Sequence, residues 1–106
     1  MEVEVLFSKF FLTLTKLVKH VRRVVPLSTA YLVLSIHGFE KPVAKRILKI
    51  FKESGLISIS TRGIKIDFKN FERFLQTKKE ELEKLLGKKN VRKLISYVKI
   101  QNNFLL

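Results

Sequence analysis

The chain has 106 residues, of which 22 are Lys or Arg and 9 are Asp or Glu, so its formal net charge is +13. This length fits a single domain and leaves no room for two. With 46 % apolar residues, nine Phe among them, the chain can build a hydrophobic core and is not a disordered basic tail. The absence of Cys excludes disulfides and thiolate metal sites. The positive charge predicts a polyanionic partner, with nucleic acid ahead of an anionic membrane surface or an acidic protein.

The first half of the chain predicts three helices. Residues 5–25 repeat apolar side chains at spacings of three and four, and Pro26 ends the pattern. Residues 28–37 predict a shorter helix that ends at Gly38, although their apolar run would also suit a buried strand. Residues 40–54 predict the clearest helix of the chain.

The segment 40–54 separates apolar from basic side chains. Pro42 falls in its first turn and Gly55 marks its end. On a helical wheel one side is apolar and holds Val43, Ala44, Ile47, Leu48, Ile50 and Phe51. The other side carries five bases, which we call the basic face of this helix: Lys41, Lys45, Arg46, Lys49 and Lys52.

A β-hairpin is predicted next. Residues 56–60 and 64–68 alternate apolar and polar side chains with a period of two. Residues 61–63 form a short connection in which Gly63 takes a positive φ.

The last third of the chain predicts two more helices. Residues 70–86 are predicted to form one helix, capped by Asn70 and ended by Gly87, and Asn90 is predicted to cap a second. The Phe residues at inward positions are predicted to form the core: Phe7, Phe10, Phe11, Phe51, Phe68, Phe71 and Phe74. The apolar tail is predicted to dock on this domain or on a partner through Phe104, Leu105 and Leu106.

The order helix, helix, tight turn, helix, Gly-Leu-Ile and hairpin resembles the winged helix-turn-helix domain of small regulators of archaea and their viruses. The likeness covers residues 28–68, with residues 5–25 as the helix in front, and its most specific part is residues 47–57. It implies a fold that is mainly α with a two-stranded β-hairpin wing. The winged-helix core would span residues 5–68, with a C-terminal helical extension over residues 69–106.

The resemblance also implies a DNA-binding site. The helix at 41–54 would enter the major groove. Its lysines suit phosphate, whereas the planar fork of Arg46 suits guanine, so we expect strong backbone binding and modest sequence preference. Arg62 at the hairpin tip would reach a minor groove, with Lys65 and Lys69 beside it. The alternative for all these bases is a solvated polar surface.

Two other groups of bases are candidates for secondary contacts with phosphate or with a partner protein. One lies near the end of the first helix and comprises Lys19, Arg22 and Arg23, although cations are favourable at a helix C-terminus in any case. The other lies in an acid-free C-terminal stretch and comprises Lys88, Lys89, Arg92 and Lys93.

Catalysis has little support in the sequence. His20 and His37 lack a pattern of nearby ligands or nucleophiles, and neither a dinucleotide fingerprint nor zinc-ligand spacing is present. We therefore expect a non-enzymatic protein, with no cofactor and no metal, that binds double-stranded DNA as a transcription regulator or DNA-architectural protein. It would be cytoplasmic and associated with the nucleoid, without membrane contact, and a homodimer is one option.

Two alternatives remain at this point. The chain could be a non-catalytic accessory subunit of a replication, transcription or RNA-processing complex that docks on a protein partner. Binding of residues 5–25 to an anionic membrane is the less favoured alternative, because a core already accounts for the Phe content of that helix.

Overall fold

The computed structural model describes residues 2–18, 21 and 24–104, the side chain of Phe104 excepted. The helices in this part of the chain are α1 (Val3–Leu17), α2 (Leu27–Ile36), α3 (Lys41–Glu53), α4 (Phe68–Thr77), α5 (Lys79–Leu86) and α6 (Lys88–Phe104). The strands are β1 (Val24–Val25), β2 (Ile57–Ser60) and β3 (Gly63–Ile66). They form an antiparallel sheet in the order β1-β3-β2. The mainly helical class is confirmed, whereas the expectation of only two strands is wrong.

The first helix is shorter than predicted. It ends at Leu17, and Val18 already has extended backbone angles (φ −115°, ψ 120°). Val24 and Val25, predicted as the end of the helix, pair instead with Lys65 and Ile64 of β3. Valine has a high propensity for β-strands, because its branched side chain packs well on a pleated surface. The paired residues of β3 lie 39 and 41 positions further along the chain, so local periodicity gives no sign of the pairing.

The turn after α3 is set by hydrogen bonds around Gly55. This glycine has a positive φ of 80° and its N–H donates to the carbonyl of Lys52, while the N–H of Leu56 donates to the carbonyl of Phe51. This is a Schellman motif, and the same pattern surrounds Gly38 after α2. The motif therefore ends α3, and Leu56, the residue that leads into β2, is fully buried in the core.

The predicted caps of the C-terminal helices are wrong. Asp67, not Asn70, caps α4, since its Oδ1 accepts the backbone N–H of Asn70 at 3.0 Å. The Asn70 side chain donates instead to the carbonyl of Gly55 at 2.8 Å and ties the end of α3 to the start of α4. Likewise α6 begins at Lys88, and Asn90 lies within its first turn, donating back to the carbonyl of Leu86 at 2.7 Å.

The helix predicted over residues 70–86 is broken in two. Lys78 leaves the helical conformation (φ −106°, ψ 18°) and separates α4 from α5. Residues 76–81 contain no apolar side chain. Because no side chain of this stretch can be buried in the core, tertiary packing does not keep α4 and α5 in one continuous helix.

The core is built around phenylalanine. Six rings are at most 2 % exposed: Phe7, Phe10, Phe11, Phe51, Phe68 and Phe71. Phe7 of α1 packs edge-to-face on Phe51 of α3 and Phe71 of α4, with ring centroids 5.0 and 4.7 Å apart. Phe11 contacts Phe71 and Tyr97 of α6 at 5.1 and 5.8 Å. The inward placement of these six rings is confirmed, and α4 and α6 share one core with α1 and α3.

Gly63 occupies a position of the sheet that has no room for a side chain. Its φ is +135°, and a Cβ there would overlap the carbonyl oxygen of Val25. We expect Gly63→Ala to lower the free energy of unfolding by about 2–4 kcal/mol, because backbone strain adds to the loss of β1 pairing. Gly38→Ala is the control, with φ 89° and open space around it, and should cost about 1 kcal/mol. Urea unfolding compares the two, and equal losses would show that the close approach of β1 and β3 is unimportant.

Candidate nucleic-acid interface

The packing of α3 turns its bases to the solvent. Its buried stripe consists of Ala44, Ile47, Leu48 and Phe51. Through it α3 packs on α1, α2 and β2. All five residues of its basic face are exposed: Lys41, Lys45, Arg46, Lys49 and Lys52. Since the two sets lie on opposite sides of one helix, burial of the apolar stripe is enough to present the bases outward.

Ile50 differs from the prediction. It was expected on the apolar side, but it lies at the margin of that side and is 45 % exposed. It follows Arg46 by four residues, so the two side chains are neighbours on the surface of α3. The outer surface of α3 therefore carries the apolar side chain of Ile50 next to the guanidinium group of Arg46. Helical periodicity alone predicted these two residues on opposite sides of the helix.

The basic face of α3 has no carboxylate partner in the described part of the chain. The ion pair found there within 4.0 Å joins Lys78 and Glu81, at 3.9 Å, and lies elsewhere. Lys41 places its Nζ 5.7 Å from the centroid of the Tyr31 ring, a cation–π contact that leaves its charge intact. The positive charges of this face are thus available to an external anion.

The three bases predicted at or beside the hairpin are exposed, but they lie on different elements. Arg62 is at the tip, between β2 and β3, on the hairpin that directly follows α3. Lys65 lies on the solvent side of β3, because its neighbours Ile64 and Ile66 are fully buried. Lys69 is in the first turn of α4. Arg62 therefore lies on the hairpin that follows α3 in the chain, whereas Lys65 lies on the surface of the sheet and Lys69 lies on α4.

The C-terminal helix carries a second exposed group of bases, which we call the basic face of α6: Lys88, Lys89, Arg92, Lys93 and Lys99. Opposite them lie the buried Val91, Leu94 and Val98. Through this stripe α6 packs mainly on α4, α5 and α1. Because α6 is engaged with these elements, it leaves the basic face of α3 open.

Several predicted contacts lie outside the described residues. They are Lys19, Arg22 and Arg23, Leu105 and Leu106, and the side chain of Phe104; His20 also lies outside the described residues. Their predicted roles stay predictions.

His37 has a structural partner. Its Nε2 lies 2.8 Å from the hydroxyl of Thr13 on α1. That hydroxyl already donates to the carbonyl of Lys9 at 3.0 Å, so the imidazole Nε2–H is the donor in the bond between them. The imidazole therefore joins the end of α2 to α1.

The leucines of α4 and α5 are largely used in packing. Leu75 and Leu82 are buried, Leu86 is half-buried, and Leu85 is 63 % exposed. The leucine side of this segment thus offers little free apolar surface. A different apolar pair is open on α2, where Leu32 and Ile36 are 56 % and 55 % exposed and lie one turn apart.

Within the described ranges, His, Asp and Glu side chains form no group of three or more that could bind a metal ion. The helices described here are also too short or too polar to cross a bilayer. Comparison of the chain with protein-family models, characterised proteins and solved structures finds no match in any of the three.

Proposed function

We propose that the chain is a winged helix-turn-helix protein that binds double-stranded DNA without catalysing a reaction, as a transcription regulator or DNA-architectural protein. The observation that carries the proposal is the open basic face of α3, with five exposed bases and no helix of the described residues packed over them. Two features support it further: α3 follows α2 after a four-residue turn, and a hairpin follows α3 at once.

In the proposed complex α3 lies in the major groove. Its lysines neutralise backbone phosphates, and Arg46 donates to O6 and N7 of a guanine. Ile50, beside Arg46, is placed to contact a thymine methyl group. Arg62 extends from the hairpin tip towards a minor groove, where a narrow groove attracts a guanidinium group.

A salt titration tests the proposal. If six to eight phosphates are neutralised, log K for a random-sequence duplex should fall by about 5–7 per unit of log salt concentration. Fluorescence anisotropy of a labelled duplex gives this slope, with single-stranded DNA and double-stranded RNA measured alongside. An absence of binding at low salt, or a slope near zero, would reject DNA binding. Tighter binding to RNA would keep the basic face of α3 as a site and change its ligand.

A second candidate is the non-catalytic accessory subunit of a replication, transcription or RNA-processing complex. The observation that favours it is the exposed pair Leu32 and Ile36 on α2, which suits a protein contact. Purification of the chain from its native source separates the candidates. A stoichiometric large partner supports the accessory role, and a free chain or homodimer supports the DNA-binding protein.

A further inference from the structure

We propose that one copy of the chain holds two DNA segments at once, the first on the basic face of α3 and the second on the basic face of α6. The role of α3 in this arrangement rests on the proposed function. The role of α6 rests on separate observations of its surface and its position.

The basic face of α6 is long and free of acidic groups. Between Lys88 and Lys99 the helix advances about 16 Å, at 1.5 Å per residue. Five bases are exposed over this length, and no Asp or Glu occurs in the helix. Phosphates of one DNA strand recur about every 3.4 Å along the duplex axis, so the face can follow about five of them.

The composition of this face suits phosphate better than protein. Besides the bases, the exposed side chains of α6 between residues 88 and 103 are Ser96, Ile100 and Asn103. Among the side chains of α6 that the structure describes, Ile100 is thus the one large exposed apolar group, at 52 % exposed. Protein interfaces are anchored by buried aromatic and apolar side chains near their centre, and the described part of this face offers no such cluster. Pairing of two α6 faces in a homodimer is disfavoured because like charges would meet.

The two basic faces belong to helices that pack on different parts of a shared core. Phe7 and Phe10 of α1 contact Phe51 of α3, whereas Phe11 of the same helix contacts Tyr97 of α6. Each of these helices buries its apolar stripe towards the core, and each carries its bases on the opposite side. α3 packs on α1, α2 and β2, whereas α6 packs on α1, α4 and α5, so the two basic faces lie on separate parts of the surface.

A single duplex on α3 would have to bend to reach the separate basic face of α6 as well. DNA has a persistence length of about 150 base pairs, so bending it around a body with extents of 32 × 32 × 26 Å is unfavourable. A second segment can occupy α6 without any bending. Bridging of two segments is therefore the arrangement that uses both faces at the lowest cost in DNA deformation.

Capture of one duplex by another tests this inference. One duplex is immobilised on beads, the full chain is added, and retention of a second, fluorescent duplex is measured. Reversal of two charges in Arg92→Glu/Lys93→Glu should lower retention at least about tenfold, because two phosphate contacts are lost on α6. Affinity for a single duplex should stay within about threefold, since α3 is unchanged. Arg73→Glu/Lys79→Glu is the matched control: it alters the same residue types at exposed positions outside both faces and should retain bridging.

The outcomes separate the two proposals. Failure of the unaltered chain to bind any duplex rejects the proposed function. Normal binding of single duplexes without bridging overturns the inference about α6 alone. Equal bridging by the α6 variant and the control also overturns it. Sedimentation should show one chain between two duplexes, and bridging only by a chain dimer would again contradict the model.

Discussion

Reversal of the charges of Lys45 and Lys49 is expected to weaken duplex binding by about 10²- to 10³-fold near 0.1 M salt. Both side chains lie on the exposed side of α3, one helical turn apart, and neither pairs with a carboxylate of the described residues. At this salt concentration each neutralised phosphate contributes about 0.9 log units of affinity, so loss of two contacts alone accounts for about 60-fold. Repulsion between the new carboxylates and phosphate adds the rest.

Fluorescence anisotropy over a range of salt concentrations measures the effect of Lys45→Glu/Lys49→Glu. The salt slope should become shallower by about two units, since two phosphate contacts are removed. Arg73→Glu/Lys79→Glu again provides the control, with the same change in net charge. Its loss should stay below about tenfold, because neither residue lies on the basic face of α3 and salt screens charges that do not contact the duplex. Equal losses in both variants would mean that diffuse positive charge, and not the basic face of α3, holds the DNA.

Truncation of Phe7 is expected to cause the largest loss of stability. Its ring is fully buried and packs on Phe10, Phe51 and Phe71, so the three contacts join α1 to α3 and α4. Phe7→Ala would leave a cavity where these helices meet and should cost about 3–5 kcal/mol. For a domain of this size each kcal/mol lowers the Tm by about 4–8 °C, so a fall of about 12–40 °C is expected.

Urea unfolding followed by circular dichroism measures this loss. Phe7→Leu keeps part of the volume and should cost about 1–2 kcal/mol, which keeps the comparison usable if Phe7→Ala does not fold. Leu85→Ala is the matched apolar truncation at a 63 % exposed position and should cost under about 0.5 kcal/mol. A cost for Phe7→Leu no larger than for Leu85→Ala would contradict the central place of Phe7 in the core.

Only part of the candidate site could be predicted from the residues. The two sides of α3 follow from helical periodicity and from Gly55, both of which act within a few residues. The exposure of Ile50 could not be predicted, because it depends on which neighbours cover the margin of the helix. The orientation of Lys65 follows from the alternation within β3, but its distance from α3 depends on how the sheet packs.

Local sequence determined the mainly helical class, the inward positions of six Phe rings, the hairpin and the positive φ at four glycines. Each of these depends on periodicity or on the conformational freedom of one residue. The helix predicted over residues 70–86 breaks at Lys78, inside the polar run of residues 76–81. Tertiary structure alone decided the remaining features: Val24 and Val25 form a strand because β3 is beside them. It also decided that α6 packs on α1, α4 and α5 and leaves α3 open, because contacts between distant segments leave no periodic signal in the sequence.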